Sequence, residues 1–488
     1  MVNTLLSAAS VFRTIGSVLL AILILLVMIT IHEFGHWIAG KILRFGITEF
    51  SIGFGPALFK HKSKKSGQLF AIRLIPLGGY CAFQNEDGLD EENKEEEKKE
   101  ETDNVSPDSA EEKPKETVAE TVSTDTVILT PAPEETPKEE VREGIQEEVK
   151  EEPKEEDFFA DLPAPTAEDG KKRKKKRTPA WKEKPDDGSF TRKAPWKRII
   201  VLIAGALMNY ILALFLIIIC FFAYGQTMTA VYEVEPTDEI SAEYCLQDRD
   251  IFLKANGKNL YLTVDLARAV SGKKAGDKVK LYISRLFIDE TATNPETGKE
   301  EIVKSHREKM TVEIMLRSDV SVKNSSELGS AWDALGIKKS TNEKGDEIAG
   351  AYQLASATAK FGFFETLGRS FVYSFKIAGS ILRVIGELLT GRLGISAMGG
   401  PVSTIKATSE MVSYGFRYFL EISAFIGVNL AVFNLLPVPA LDGSKVVFTI
   451  IEWIRGKPIS RKVEAIIHAV GFVLLLGFAV LVDILQFV

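Results

Sequence analysis

Hydrophobic and polar positions segregate along this chain instead of mixing. Ile15 to Gly40, Ile199 to Tyr224, Tyr418 to Leu436 and Ala465 to Leu485 are apolar runs with few charges. At about 1.5 Å of rise per residue, each is long enough as a helix to cross most or all of a hydrocarbon layer of roughly 30 Å. The pattern predicts a polytopic α-helical membrane protein with four transmembrane helices. The first run is longer than the apolar region of a signal peptide and has no small-residue cleavage pattern, so it reads as a retained span.

Between the runs the periodicity changes. From Glu49 to Tyr80, short alternating and aromatic-rich stretches punctuated by glycine predict a β-hairpin or small sheet. Lying just after the first span and lacking a long polar loop, it is expected to dip into the membrane, where an edge strand could pair with an extended substrate; a surface hairpin is the plainer alternative. After the second span, Val231–Pro236, Ile251–Gly257 and Gly276–Arg285 read as strands, with a helix from Val264 to Ser271. Asn294–Gly298 reads as a hairpin turn, and the return strand includes Met310 to Leu316. Phe361 to Leu389 has helical period interrupted by Arg369, Lys376 and Arg383, which predicts an interfacial amphipathic helix on the outer surface, with a partly buried span as the alternative, ended by a loop at Gly399-Gly-Pro-Val402. The resulting organisation is 1–85 (first span and hairpin), 86–190 (insert), 191–226 (second span), 227–318 (soluble β-rich domain), 319–410 (connector and amphipathic helix) and 411–488 (last two spans).

Composition adds the insert and the orientation. The chain has 488 residues and a net charge of −7, an average over two opposite populations. Glu86 to Asp187 is rich in Glu, Lys, Pro, Thr and Ser, too poor in apolar groups to offset its conformational entropy, and is expected to be a disordered cytoplasmic insert. Its Lys171–Arg177 run, beside a membrane span, reads as a lipid-attracting and topology-setting cluster more than as a nucleic-acid site. Positive clusters follow the first span (Lys41, Arg44, Lys60 to Lys65), precede the second (Arg192 to Arg198) and join the last two (Arg455 to Lys462). All belong on the cytoplasmic side, leaving both termini and residues 225–415 outside. Cys81, Cys220 and Cys245 lack C-x-x-C spacing, so neither a disulfide framework nor a thiolate metal site is indicated.

Candidate chemistry sits inside the first span. His32-Glu-Phe-Gly-His36 places two imidazoles four apart on one helical face, where they can share one Zn²⁺, with Glu33 one step round as general base for a water. A chance match is costly within a bilayer, where polar groups are normally functional. His36 lies only ~8 Å before Lys41 along a helix, so a third ligand should lie near the cytoplasmic face. Asp442 fits: the third span breaks at Pro437 and Pro439, and Asp442 precedes Lys445 by three residues. His32, His36 and Asp442 would leave one coordination position open, as catalytic zinc requires. Asn209, within the second span, either faces this site or bonds a neighbouring helix; the latter is the plainer expectation. His468 in the fourth span reads as a packing residue.

Two motifs together, His32-Glu-Phe-Gly-His36 and Asn434-Leu-Leu-Pro-Val-Pro-Ala-Leu-Asp-Gly443, resemble the site-2 protease family of intramembrane zinc metalloproteases, in its bacterial branch with an extracytoplasmic PDZ insertion (regulator of sigma-E protease type). The β-rich region is similar to a PDZ domain, although Cys245-Leu-Gln-Asp-Arg-Asp250 lacks two glycines of the usual Gly-Leu-Gln-x-Gly-Asp signature, and Ser444 stands where the family often has glycine. The resemblance implies His32, His36 and Asp442 as zinc ligands, Glu33 as catalytic base, and Asn434 and Asn429 as contacts to substrate backbone or oxyanion. It implies cleavage of single-span membrane proteins such as anti-sigma factors, and of remnant signal peptides, with the PDZ-like region filtering by ectodomain size.

Two readings of other classes compete. A catalytically inactive adaptor that binds transmembrane segments has no need of three ligands plus Glu33. A metal transporter needs polar groups through the full depth of several spans, whereas spans one and three carry theirs at one end.

Overall fold

The computed structural model describes residues 2–64, 66–86, 187–234, 245–293, 298, 300–342, 344–394 and 399–487. The charged insert and most of the Asn294–Gly298 turn lie outside the described residues. Helix α1 (Val2–Ile42) leads into strands β1 (Ile47–Lys62) and β2 (Leu69–Phe83), followed by α2 (Pro195–Tyr224). The β-rich domain holds β3 (Gln226–Val231), β4 (Ile251–Ala255), β5 (Lys258–Asn259), α3 (Thr263–Val270), β6 (Lys278–Thr293), β7 (Glu300–Met315), α4 (Gly329–Ala334), β8 (Lys339–Thr341), β9 (Glu347–Tyr352) and β10 (Leu354–Ala359). Helices α5 (Phe363–Leu389), α6 (Pro401–Ser413), α7 (Phe416–Asn434), α8 (Asp442–Arg455) and α9 (Arg461–Phe487) complete the chain.

Among the described residues, four helical segments are long and apolar enough to cross a membrane: Thr14–Ile42, Pro195–Tyr224, Phe416–Asn434 and Arg461–Gln486. They match the four apolar runs of the sequence. Leu19, Leu23, Val27 and Phe34 on α1 stay exposed, an arrangement that water would penalise and lipid does not. α2 lies at the centre, packed against α1, α5, α7 and α8.

β1 and β2 form more than a simple hairpin. Ile47–Ile52 pairs with Gly79–Phe83 and also with Leu69–Ile72, while Ala57–Lys62 folds back on Leu69–Arg73. Arg73 ties the folds together, donating to Ser51 Oγ at 2.9 Å, Gly55 O at 2.8 Å, Glu49 Oε1 at 2.6 Å and Tyr80 OH at 2.8 Å. One long strand pair thus behaves as a small sheet, which the alternation alone did not specify.

In the β-rich domain the strand order is β10-β3-β4-β6-β7, with β5 on β4. Ile251, Phe252, Leu253, Leu266, Leu281 and Ile283 are its buried centre. The structure differs from the sequence reading in three places. The first strand is Gln226–Val231; of the expected Val231–Pro236, Val231 alone lies in it, and Glu235 and Pro236 lie outside the described residues. Leu354–Ala359, placed by the sequence in a connector, is an edge strand paired with β3 along its whole length. Gly399–Val402 does not stay a loop, because Pro401 starts α6, a first-turn position where its missing N–H costs nothing. At the degenerate motif, Arg249 occupies the glycine position with a left-handed φ of 70°. Asp250 is buried and paired with Arg285, Oδ2 to Nη2 at 2.8 Å, so the turn is retained by an ion pair in place of glycine.

The charges in α5 face this domain. Arg369 is buried, donating to Gln226 Oε1 and Leu260 O, both at 2.6 Å, and stacking on Phe361 and Tyr261. Lys376 reaches Asp265 at 2.9 Å, while Phe364, Phe371, Phe375 and Leu382 point outward. The helix is amphipathic as expected, but it does not lie apart on an outer surface: Ile377 and Ile381 pack with Ala213 of α2 and Val428 of α7, and Tyr210 OH lies 2.7 Å from Ser374 Oγ, which fits the partly buried alternative.

Candidate metal centre

The two histidines lie one helical turn apart on α1, buried, with ring centroids 4.8 Å apart. Gly35 between them is what lets α1 approach α2: a Cβ there would lie 2.4 Å from Ala204 O. The third member arrives from the far end of the chain. α7 stops at Asn434, Pro437 and Pro439 prevent its continuation, and α8 starts at Asp442. Asp442 Oδ2 is 2.9 Å from His32 Nε2 and 3.2 Å from His36 Nε2, and the two Nε2 atoms are 3.2 Å apart.

A tetrahedral zinc site with bonds near 2.0–2.1 Å has ligand atoms about 3.3 Å apart. These three atoms already converge at nearly that spacing, and among the described residues His32, His36 and Asp442 are the one cluster of three that could hold a metal ion. The donor set fits zinc: two imidazoles and a carboxylate, with one face left for water.

α2 supplies the groups behind the ligands. His36 Nδ1 is 2.8 Å from Val201 O, so Nδ1 carries the proton and Nε2 the free lone pair. His32 Nδ1 is 3.5 Å from the Asn209 side-chain amide, and Asn209 Oδ1 is buried without a partner. Exchanging the two ends of that amide gives His32 Nδ1–H an acceptor and satisfies the oxygen. Asn209 therefore faces the site, and the plainer sequence expectation of a helix-to-helix bond is corrected. Gly205 was missed altogether: a Cβ there would sit 2.3 Å from His36 Nε2 and 2.8 Å from His32 Cε1. Its only sequence signal is a glycine in an otherwise bulky span.

Glu33 lies on the adjoining face. Its Cγ is 3.2 Å from where a Gly79 side chain would begin, and its carboxylate lies toward the Cys81 backbone. The edge of β2 thus runs beside the catalytic-base candidate. Asn434 is the last residue of α7, half-buried and three residues before the first proline of the metal loop. Asn429 is not brought to the ligand cluster; it lines a cavity of about 520 Å³ together with Ser380, Thr404, Thr408 and Phe425, from which the three ligands are absent.

The chain matches the family model described as Peptidase family M50 over residues 20–478. It is 25% identical to the zinc metalloprotease RasP of Bacillus licheniformis over 94% of this chain and 96% of that protein. It is 27% identical to the zinc metalloprotease RasP of Oceanobacillus iheyensis, over 93% and 95%. Similarity at 25% identity also extends to the regulator of sigma-W protease RasP of Bacillus subtilis, over 95% and 96%.

Proposed function

Because this chain belongs to peptidase family M50 and is an intramembrane zinc metalloprotease, we propose that His32, His36 and Asp442 hold its zinc and that Glu33 is its catalytic base. The observation that carries the assignment is the convergence of three ligand atoms within 2.9–3.2 Å of one another, on helices long enough to span a membrane.

When bound, zinc lowers the pKa of a water toward ~7 and polarises the scissile carbonyl. Glu33 takes the proton of the attacking water and returns it to the leaving nitrogen. The substrate's transmembrane helix must open before its carbonyl is accessible. The edge of β2 from Gly79 to Phe83 would pair with the extended segment and deliver it past Glu33. Asn434 would donate to the substrate backbone or developing oxyanion, and Asn429 would contact a more distant part of the same segment from its cavity.

The chain works in regulated intramembrane proteolysis. The relative named as a regulator of sigma-W protease supports anti-sigma factors as substrates here, and remnant signal peptides are single-span segments of the same kind. The β-rich domain would act as a PDZ-like filter outside the cell membrane, with the zinc toward the cytoplasm.

The decisive experiment is capture. Glu33→Gln should abolish cleavage, keep zinc, and retain uncleaved single-span proteins. A variant that still cleaves removes Glu33 from the role of base. Asp442→Ala should lose zinc, and full zinc affinity in that variant would place the third ligand elsewhere.

A further inference from the structure

We infer that His468, in the fourth membrane span, is a positioning residue for the third zinc ligand, acting through the backbone of Ala440. Ala440 lies two residues before Asp442 and holds a φ of 77°, a left-handed conformation that an alanine rarely adopts. The neighbouring Leu441 N–H bonds inside the loop, to Val438 O at 3.1 Å. The Ala440 N–H instead finds its acceptor on another helix, at His468 Nδ1, 3.0 Å away.

Two further contacts come from the same face of α9. Gly471, three residues on, lies against Pro439 so closely that a Cβ would be 2.3 Å from Pro439 Cβ. The His468 ring also meets Phe448 of α8 edge-on, at 5.7 Å between centroids. His468 and Gly471 therefore bracket the loop on which Asp442 stands, before it through Pro439 and Ala440 and after it through Phe448. Their role follows from chemistry: a turn that is unfavourable for alanine is held in register by one part-buried hydrogen bond, and the carboxylate two residues later inherits that register.

The inference rests on Asp442 being a zinc ligand, which Asp442→Ala tests separately, so loss of that premise is distinguishable from failure of this step. The test uses the full-length protein in detergent and reads zinc affinity by competition with a chromophoric chelator, with the melting temperature of the zinc-free protein alongside. His468→Ala should weaken zinc binding about tenfold, in the range of outer-shell substitutions, with the zinc-free melting temperature near that of the wild type. His468→Gln, which keeps an acceptor, should recover part of the loss. So should Ala440→Gly added to His468→Ala, because glycine adopts the left-handed turn without help. Wild-type affinity in His468→Ala overturns the inference. So does a loss of affinity that tracks a lowered zinc-free melting temperature and that neither Gln nor Ala440→Gly relieves, since His468 would then only pack the fourth span.

Discussion

Each histidine of the candidate metal cluster is held by a group the motif does not contain. His36 is fixed by Val201 O, His32 by Asn209, and both rings rest where only a glycine fits, at Gly205. Gly205→Ala should therefore reduce zinc affinity by at least the ~10–100-fold typical of outer-shell changes, although no ligand is touched. An alanine variant with unaltered affinity would mean the rings move aside freely. Asn209→Ala should weaken zinc binding about tenfold, while Asn209→Asp, which still accepts from His32 Nδ1–H, should bind more nearly as the wild type does. If both bind equally, Asn209 is a helix-packing residue after all. At this scale the sequence was informative in proportion to spacing. His32, Glu33 and His36 are adjacent in the chain, and their four-residue interval encodes a shared face. Asp442 could be inferred because two prolines and a lysine fixed its depth. Asn209 and Gly205 act across a helix contact, and the rotation of α2 about its own axis is set by Gly35 meeting Ala204, which no local pattern specifies.

Among the elements, the edge of β2 has the most direct consequence for chemistry. Cys81 lies on the stretch of β2 that runs beside Glu33, where a proline removes a backbone donor and would block strand addition. Cys81→Pro should raise KM for a transmembrane substrate at least tenfold and leave zinc content intact, since the ligands sit on α1 and α8. Unchanged KM would mean that the substrate does not add as a strand. The hairpin itself was readable from alternation and glycine punctuation, but its refolding into a small sheet was not, because that depends on Arg73 reaching Glu49, Ser51, Gly55 and Tyr80 at once. Edge strand β10 was hidden for a related reason. Leu354–Ala359 is short and rich in alanine, a poor strand former, and becomes a strand only because β3 offers a partner. The spans were legible throughout, since bilayer thickness imposes their length directly. At the metal end of α2, buried Glu452 binds Arg198 at 2.7 Å and Arg461 at 3.3 Å. Glu452→Ala should lower stability by about 3–5 kcal/mol, the usual result of leaving a buried charge without its partner. A thermal melt unchanged from wild type would show that water replaces the carboxylate.

On the scale of the whole molecule, the position of the metal along α2 separates recognition from chemistry. Gly205 touches the ligands and Tyr224 ends the helix at the start of the β-rich domain, nineteen residues or about 28 Å further on. That is nearly a full hydrocarbon thickness, so a domain that begins there would act on the part of a substrate beyond the opposite face. The metal end carries Lys41, Lys193, Lys197 and Arg198, and the positive-inside rule assigns it to the cytoplasm. The three native cysteines are an unreactive background for testing this. Cys220 and Cys245 are buried, and burial pushes the Cys81 thiol pKa well up, leaving little thiolate near neutral pH. Lys258→Cys, on exposed β5, should react with a membrane-impermeant maleimide added to intact cells. Lys64→Cys, exposed at the turn between β1 and β2, should react only after the membrane is opened. The reverse result would put the β-rich domain in the cytoplasm and the zinc toward the outside. Substrate filtering by ectodomain size would then be physically impossible, because the domain and the ectodomain would lie on opposite sides of the membrane.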